Sequence, residues 1–432
     1  MAYSTIAFFS FIFILIADIV SRVNTFIGVS NGSTELIALL NFVSVLGLLL
    51  LGMRYRWKGK LPYNGLLIFK LFMVWSIFTF FRGVFNASDY WDWKILFLSY
   101  SFTILVPLAI VLGLNFEISI KIFRFILNWL FIFGFIFVPL ALLTDYELYP
   151  RIVAAVSLLL LFVPYLKFRW QVLVFIVAAA SILMDLNYRA NVMRILFSIF
   201  LLLIYCSKYF ISQKIFNLLL GIFFCTPLLL LALGANGQFN VFTDNPFEIE
   251  VISGSDSNSG IANLSNDTRT FLYREVTSSM LKRDSSFIFG EGGGSAYETD
   301  WFAHLTLNER GRYGSEVGFL NALLYSGLIG VMLYALILFS AAYYAINRSN
   351  NYLSKMLGLF LAFHWIMYFV EDITKLDMNF FFIWMAIGMC LSNKFRYLTD
   401  IEIKRRFKFV DYQTRMIDNG RKVRHMGLRG SA

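Results

Sequence analysis

Twelve apolar runs alternate with short polar stretches along the chain, each approaching the ~20 residues that a helix needs to cross ~30 Å of hydrocarbon. They lie near 5–20, 35–53, 63–81, 95–114, 122–143, 152–166, 171–184, 191–206, 215–234, 317–341, 354–370 and 377–391. The pattern predicts an all-α fold, a polytopic membrane bundle of about 12 transmembrane helices. Residues 1–234 supply helices 1–9, residues 235–316 one long external loop, residues 317–393 helices 10–12, and residues 394–432 a basic tail. The first run lacks a basic flank and a small-residue cleavage site, so it reads as a retained anchor rather than a signal peptide. The runs at 152–166 and 171–184 are the weakest, each short, with Pro164 near the end of one and Asp185 closing the other. Lys167 and Arg169 at the bend between them favour two full crossings over a re-entrant hairpin, which would leave both charges at membrane depth.

Lysine and arginine set the orientation, because cytoplasmic loops are enriched in them. With the N-terminus inside, the inner loops hold twelve basic residues, the short outer loops six, and the tail from Lys394 onward eleven more. Both termini are therefore expected in the cytoplasm, with the basic tail against anionic lipid, and the long loop outside.

Composition strengthens this reading: 59% hydrophobic residues and 48 phenylalanines lie far beyond what a soluble domain buries. The +10 charge follows the topology signal and argues against nucleic-acid binding. Cys206, Cys225 and Cys390 lie in or beside apolar runs without paired spacing, which predicts neither a disulfide framework nor a thiol metal site. Lys70 is within snorkelling reach of the inner face, and His364 reads as a histidine hydrogen-bonded between helices. No acidic residue is expected deep in a span, which disfavours a proton- or sodium-coupled transporter, as does the lack of a repeat of broken helices.

Chemistry is expected in the loop from Gly234 to Ser315. Its first part is rich in Gly, Ser, Asn and Asp and has no periodicity. A helix is predicted after it, capped by Asn266 or Asp267, with Phe271, Leu272, Val276, Met280 and Leu281 on one stripe, lying on the membrane surface or on the bundle. Arg269 in its first turn opposes the helix dipole, whereas a phosphate there would be favoured by both the charge and the free N–H groups. Arg274 follows on the same helix. The run Gly290–Gly294 around Glu291 reads as a flexible turn, or as backbone able to approach a sugar or phosphate; it matches no nucleotide-binding fingerprint. His304, Arg310 and Arg312 lead to Glu316 at the mouth of the tenth span. There a carboxylate is either a general base or one half of a salt bridge that holds the loop down. Arg189, in NYRAN, and Arg194 stand at the outer boundary between two spans; Arg189 either pairs with Asp185 at helical spacing or binds an anion.

DTRTFLYREVTSSMLKRDSSFIFGEGGG followed by EVGFLNALLYSGLIGVMLYALIL resembles the loop-and-helix signature of the O-antigen polymerase (Wzy) and O-antigen ligase (WaaL) superfamily. The resemblance rests on Arg269 opening an amphipathic helix, on Gly290 and Gly292, and on Leu323, Gly327, Leu328, Ile329 and Gly330 in the next span. Arg189 in NYRAN is similar to the family's S-R-G stretch. The match covers roughly residues 185–340. Where ligases carry a histidine just before the tenth span this chain has Glu316, and His304 does not occupy that position, so the polymerase branch is favoured.

The resemblance implies a metal-independent membrane glycosyltransferase of the bacterial cytoplasmic (inner) membrane. It would move a growing glycan from undecaprenyl pyrophosphate to a repeat unit on the same lipid, at the external face. Glu316, Arg189 and Arg269 would be catalytic, and Arg194, Arg274, Arg310, Arg312, His304 and Glu291 would bind substrate. No cofactor or metal is implied, because the lipid pyrophosphate is already a good leaving group; a chain-length regulator and a flippase are the implied partners. Transfer to a lipid A-core acceptor, as by a ligase, is the alternative. A lipid-glycan flippase is a third reading, disfavoured by the scarcity of charge at mid-membrane.

Overall fold

The computed structural model describes residues 2–27, 32–55, 62–186, 188–235, 269–282, 286–299, 311–372 and 376–407. Each of the twelve apolar runs falls on helical structure. The first three are the unbroken helices α1 (Ala2–Ile27), α2 (Gly32–Arg54) and α3 (Tyr63–Asn86). The fourth is interrupted: α4 (Tyr90–Ile95), a π turn at Leu96–Tyr100, α5 (Ser101–Thr103), a 3₁₀ turn at Val106–Ala109 and α6 (Ile110–Leu114) follow one another. Pro107, which has no N–H to donate, sits in the 3₁₀ turn. Next come α7 (Phe116–Leu143) and the short α8 (Leu148–Ile152) and α9 (Val156–Leu160), then α10 (Phe168–Met184), α11 (Arg189–Cys206) and α12 (Gln213–Ala235).

After the loop helices α13 (Arg269–Leu281) and α14 (Ser286–Phe289) and a two-stranded ladder of β1 (Ala296–Tyr297) and β2 (Arg312–Tyr313), the chain returns to the bundle as α15 (Gly318–Asn347). It then continues as α16 (Tyr352–Met367), α17 (Met378–Leu391) and α18 (Asn393–Arg396). Among the described residues, eight helical segments are long and apolar enough to cross a membrane, and α10, α16 and α17 are shorter apolar helices. The protein is thus an all-α polytopic membrane protein. The weak run near 152–166 is broken, with α9 followed by a 3₁₀ turn at Val163–Tyr165 that contains Pro164.

Contacts segregate the polar ends of the helices. At one end Lys208 lies over Tyr352, Lys355 donates to Gln213, Arg396 donates to the Arg348 carbonyl, and the Tyr165 hydroxyl donates to Asp400 at 2.5 Å. The helical segment 401–407 folds back there, burying Ile403 and Phe407, with Phe407 against Phe116 and Phe162. At the other end Arg22, Arg151, Tyr188, Arg194, Glu371 and Asp377 gather.

Three expectations need correction. Acidic groups do enter the bundle: Asp18 and Asp377 are buried, and Arg22 joins them, Nε donating to Asp18 Oδ1 at 3.1 Å and Nη2 to Asp377 Oδ2 at 3.0 Å. Asp377 also caps α17, accepting from Phe380 N–H at 2.8 Å. The trio therefore pins α1 to the head of α17, a structural role that apolar averaging over the first run concealed. Of the loop-helix stripe, Leu272, Val276 and Met280 are buried and Leu281 is exposed, while the Phe271 side chain lies outside the described residues; the 3.6-residue period carries position 281 off that face.

The glycine run is not a flexible turn. Gly290–Gly294 are buried, and Glu291 N–H and Gly292 N–H donate to the Leu324 and Tyr325 carbonyls at 2.8 and 3.0 Å. Gly293 N–H donates to the Thr79 carbonyl at 3.1 Å. These amides bind the protein's own carbonyls rather than a ligand. The carbonyls are available because α15 kinks at Gly327, whose φ of 65° and ψ of −174° break the helical hydrogen-bond ladder. A Cβ at Gly327 would collide with the Ile288 carbonyl oxygen. His364 conforms to its expectation, buried with Nε2 3.2 Å from the Tyr334 hydroxyl between α16 and α15.

Candidate functional site

Among the described residues, the polar loop is fastened to the bundle through its helix α13, the glycine turn and the β ladder. Helix α13 packs through its buried stripe, and Tyr273 donates to the Phe369 carbonyl at 2.8 Å while stacking near Phe319. Thr299 donates to Glu275 at 2.6 Å and Lys282 pairs with Glu298, which ties the residues just after β1 to the same helix. The ladder then pairs Ala296 with Tyr313 and Tyr297 with Arg312. Tyr313 donates its hydroxyl to Asp92 Oδ1 at 2.7 Å, and Asp92 belongs to the capping box that opens α4. Ser315 N–H and carbonyl are both held by the Asn321 amide, at 2.5 and 3.0 Å, so residues 311–317 arrive at α15 in a fixed path.

That path sets Glu316 beside Arg312, with Arg312 Nη2 3.2 Å from Glu316 Oε1. Arg312 Nη1 also reaches the Tyr297 hydroxyl at 3.5 Å. Burial raises the Tyr297 phenol above its ordinary pKa, and Arg312 beside it opposes that rise. The two effects leave a neutral hydroxyl next to the guanidinium at physiological pH. The Glu316 side chain is 55% exposed, the Arg312 side chain 14%.

The pair stands at a cavity of about 390 Å³ walled by Trp75, Tyr100, Tyr325, Tyr334 and Tyr368, with Asp372 also facing it. Tyr100 meets Tyr325 edge-on at 5.4 Å, and Tyr334 tilts onto Tyr368 at 5.0 Å. Such a chamber offers aromatic faces to an apolar or saccharide group, and carboxylates and a guanidinium to a reacting polar one.

The structure brings Arg312 and Glu316 together and does not bring every expected residue to them. Arg194 is buried and engaged by protein groups: Nη2 is 3.0 Å from Glu371 Oε2 and 2.9 Å from the Tyr188 hydroxyl, and Tyr188 in turn donates to Glu371 Oε1 at 2.6 Å. Arg151 covers the Tyr188 ring at 4.9 Å. Arg189 is exposed at the first residue of α11 and does not line the cavity. Arg274 is exposed on α13, and Glu291 lines a neighbouring cleft. The backbone of Arg269 opens α13, as expected. His304 and Arg310 lie outside the described residues, as does the expected cap at Asn266 or Asp267.

Sequence reasoning missed Asp372 and the tyrosine wall. A signal for both was present: Tyr325 lies two residues before the kink glycine, and Asp372 lies in the short acidic turn that follows Tyr368. The chain matches no family model, no curated protein and no solved structure.

Proposed function

We propose that this protein is a polysaccharide polymerase that transfers a growing glycan from a polyprenyl pyrophosphate to a lipid-linked repeat unit. In this reading the twelve apolar segments all cross a bacterial cytoplasmic membrane, both termini are inside and residues 235–316 are outside. The observation that carries the reading is the Arg312–Glu316 pair at the mouth of the tyrosine-walled cavity, in the stretch that resembles the polymerase branch. Arg312, with Arg269 as companion, binds the pyrophosphate oxygens, for which a planar guanidinium is suited. The acceptor hydroxyl oxygen attacks the anomeric carbon, and the bond from that carbon to the pyrophosphate oxygen breaks with its electron pair leaving on the pyrophosphate. The hydroxyl proton passes to the Glu316 carboxylate, and in-line attack inverts the anomeric centre. Stabilising the charge that develops on the departing pyrophosphate supplies most of the rate.

The test is reconstitution with purified polyprenyl-pyrophosphate-linked repeat units. Wild type is expected to give a glycan ladder and one released polyprenyl pyrophosphate per bond formed. Glu316→Gln is expected to slow this by a factor of ~10²–10⁴, the usual worth of general-base help. Release of no polyprenyl pyrophosphate by wild type, or wild-type rates from Glu316→Gln, would overturn the respective assignment.

A further inference from the structure

We propose that the polar cleft beside the aromatic cavity is a second saccharide-binding subsite, holding glycan already built while transfer occurs next door; this rests on the polymerase reading. The cleft encloses about 540 Å³, inside the range of about 300–1,000 Å³ common for small-molecule sites. Buried Glu291 and Gly293 form its inner side, Arg82 and Asn86 on the last turn of α3 flank it, and Ser295 closes it. It shares a wall with the cavity. Gly293 lies so close to the Tyr100 ring that a Cβ there would collide with it, and Asp92, which lines the cleft, receives the hydroxyl of Tyr313, which lines the cavity. The kinked α15 holds the glycine turn that separates the two spaces, so both are products of one local arrangement.

The chemistry of the lining selects the ligand. Arg82 offers donors only and makes no hydrogen bond or ion pair among the described residues. Asp92 and Glu291 bring two negative charges, and Ser295, whose hydroxyl donates to the Gly292 carbonyl at 3.0 Å, presents an acceptor. A pyrophosphate placed here would meet two carboxylates against one guanidinium. A sugar hydroxyl both donates and accepts, and a chain of them satisfies this mixture without net charge. Phe85, 84% exposed at the cleft, adds an apolar face for the C–H side of a pyranose ring. A subsite joined to the transfer centre by the glycan itself raises the local concentration of the growing chain there, as linked binding sites do.

The experiment uses the full protein in nanodiscs and the Arg82→Ala/Phe85→Ala variant, with membrane yield and thermal denaturation as folding controls. Phe85 is largely exposed, and half-buried Arg82 makes no hydrogen bond or ion pair among the described residues, so both proteins are expected to denature alike. One-repeat and four-repeat oligosaccharides cut from the host cell's own polymer are the probes. The four-repeat glycan is expected to bind wild type more tightly than the single repeat, and to lose about tenfold in the variant, the scale of one hydrogen bond to a charged group. Joining of two single-repeat lipids should stay within about twofold, as for surface changes off the reacting centre, while long polymer shortens. Equal four-repeat affinity in the two proteins overturns the subsite, as does displacement of the glycan by inorganic pyrophosphate. Absence of any joining by wild type overturns the polymerase reading instead, and the binding comparison then still decides whether the cleft takes saccharide.

Discussion

Replacing Gly327 by alanine tests whether the kink in α15 builds the site. At φ 65° and ψ −174° this residue occupies a region nearly restricted to glycine, where another residue costs ~1–3 kcal/mol. The new methyl group would also strike the Ile288 carbonyl oxygen. That atom is backbone, so relief requires residues 288–290 to withdraw, and the bonds from Glu291 and Gly292 N–H to the Leu324 and Tyr325 carbonyls then break. Each is worth ~1 kcal/mol net, which brings the total to ~3–5 kcal/mol, near the upper end of what single substitutions cost. The loss is expected as a lowered denaturation temperature in detergent and as exposure of the turn. Ser286 is 4% accessible, so a Ser286→Cys reporter should resist maleimide in the wild-type background and react readily beside Gly327→Ala. Unchanged denaturation together with a protected reporter would refute the argument that the glycine is required by this packing.

Three further outcomes are expected. A cysteine replacing Ser257 should react with a membrane-impermeant maleimide in intact spheroplasts while one replacing Ser349 does not; the opposite labelling would reverse the orientation. Arg22→Ala should cost ~3–5 kcal/mol, the usual penalty for leaving buried charge uncompensated, because Asp18 and Asp377 both lose their guanidinium; stability and membrane yield like those of wild type would exclude a structural role. Arg269→Ala should sharply lower polymer formation with the protein still in the membrane, and lysine should restore only part, since it cannot make the bidentate contact; full activity of the alanine variant would remove Arg269 from the pyrophosphate site.

The helical segments were legible because a span must satisfy its backbone internally and present apolar side chains to lipid, so its signal is local and additive over about twenty residues. The loop helix was legible for a similar reason, through Leu272, Val276 and Met280 at four-residue spacing. What escaped was long-range. Asp18 looks like an interruption of an apolar run until Arg22 and residue 377, some 360 positions away, are placed against it. Arg194 looks like an anion site until Glu371 is brought to it. The glycine turn looks free because its partners are carbonyls of another helix, exposed only by a kink that Gly327 permits. The pairing of Glu316 with Arg312, by contrast, is four residues apart and was open to sequence reasoning as a salt bridge.

The two arginine–glutamate pairs at this end of the bundle differ in what a substrate anion must overcome. Taking Arg194 from Glu371 would strand a largely buried carboxylate, side-chain accessibility 19%, at a cost of ~3–5 kcal/mol. Taking Arg312 from Glu316 releases a carboxylate that is 55% exposed, and such pairs are worth only ~0–1 kcal/mol. On the proposed reading, a pyrophosphate would therefore displace Glu316 from Arg312 readily and leave Arg194 where it is. That displacement would have a second effect: the Glu316 oxygen that faced the guanidinium would become available for the acceptor's proton, so that donor binding would prepare the base. The two residues should then separate kinetically. Arg312→Gln is expected to raise the donor KM and slow the leaving-group step, whereas Glu316→Gln lowers kcat with the donor KM within about twofold, having removed an interaction made only in the transition state. Measured with purified donor and acceptor lipids, equal effects of both variants on the same parameter would refute this division, and with it the reading of the ion pair as a latch that the donor opens.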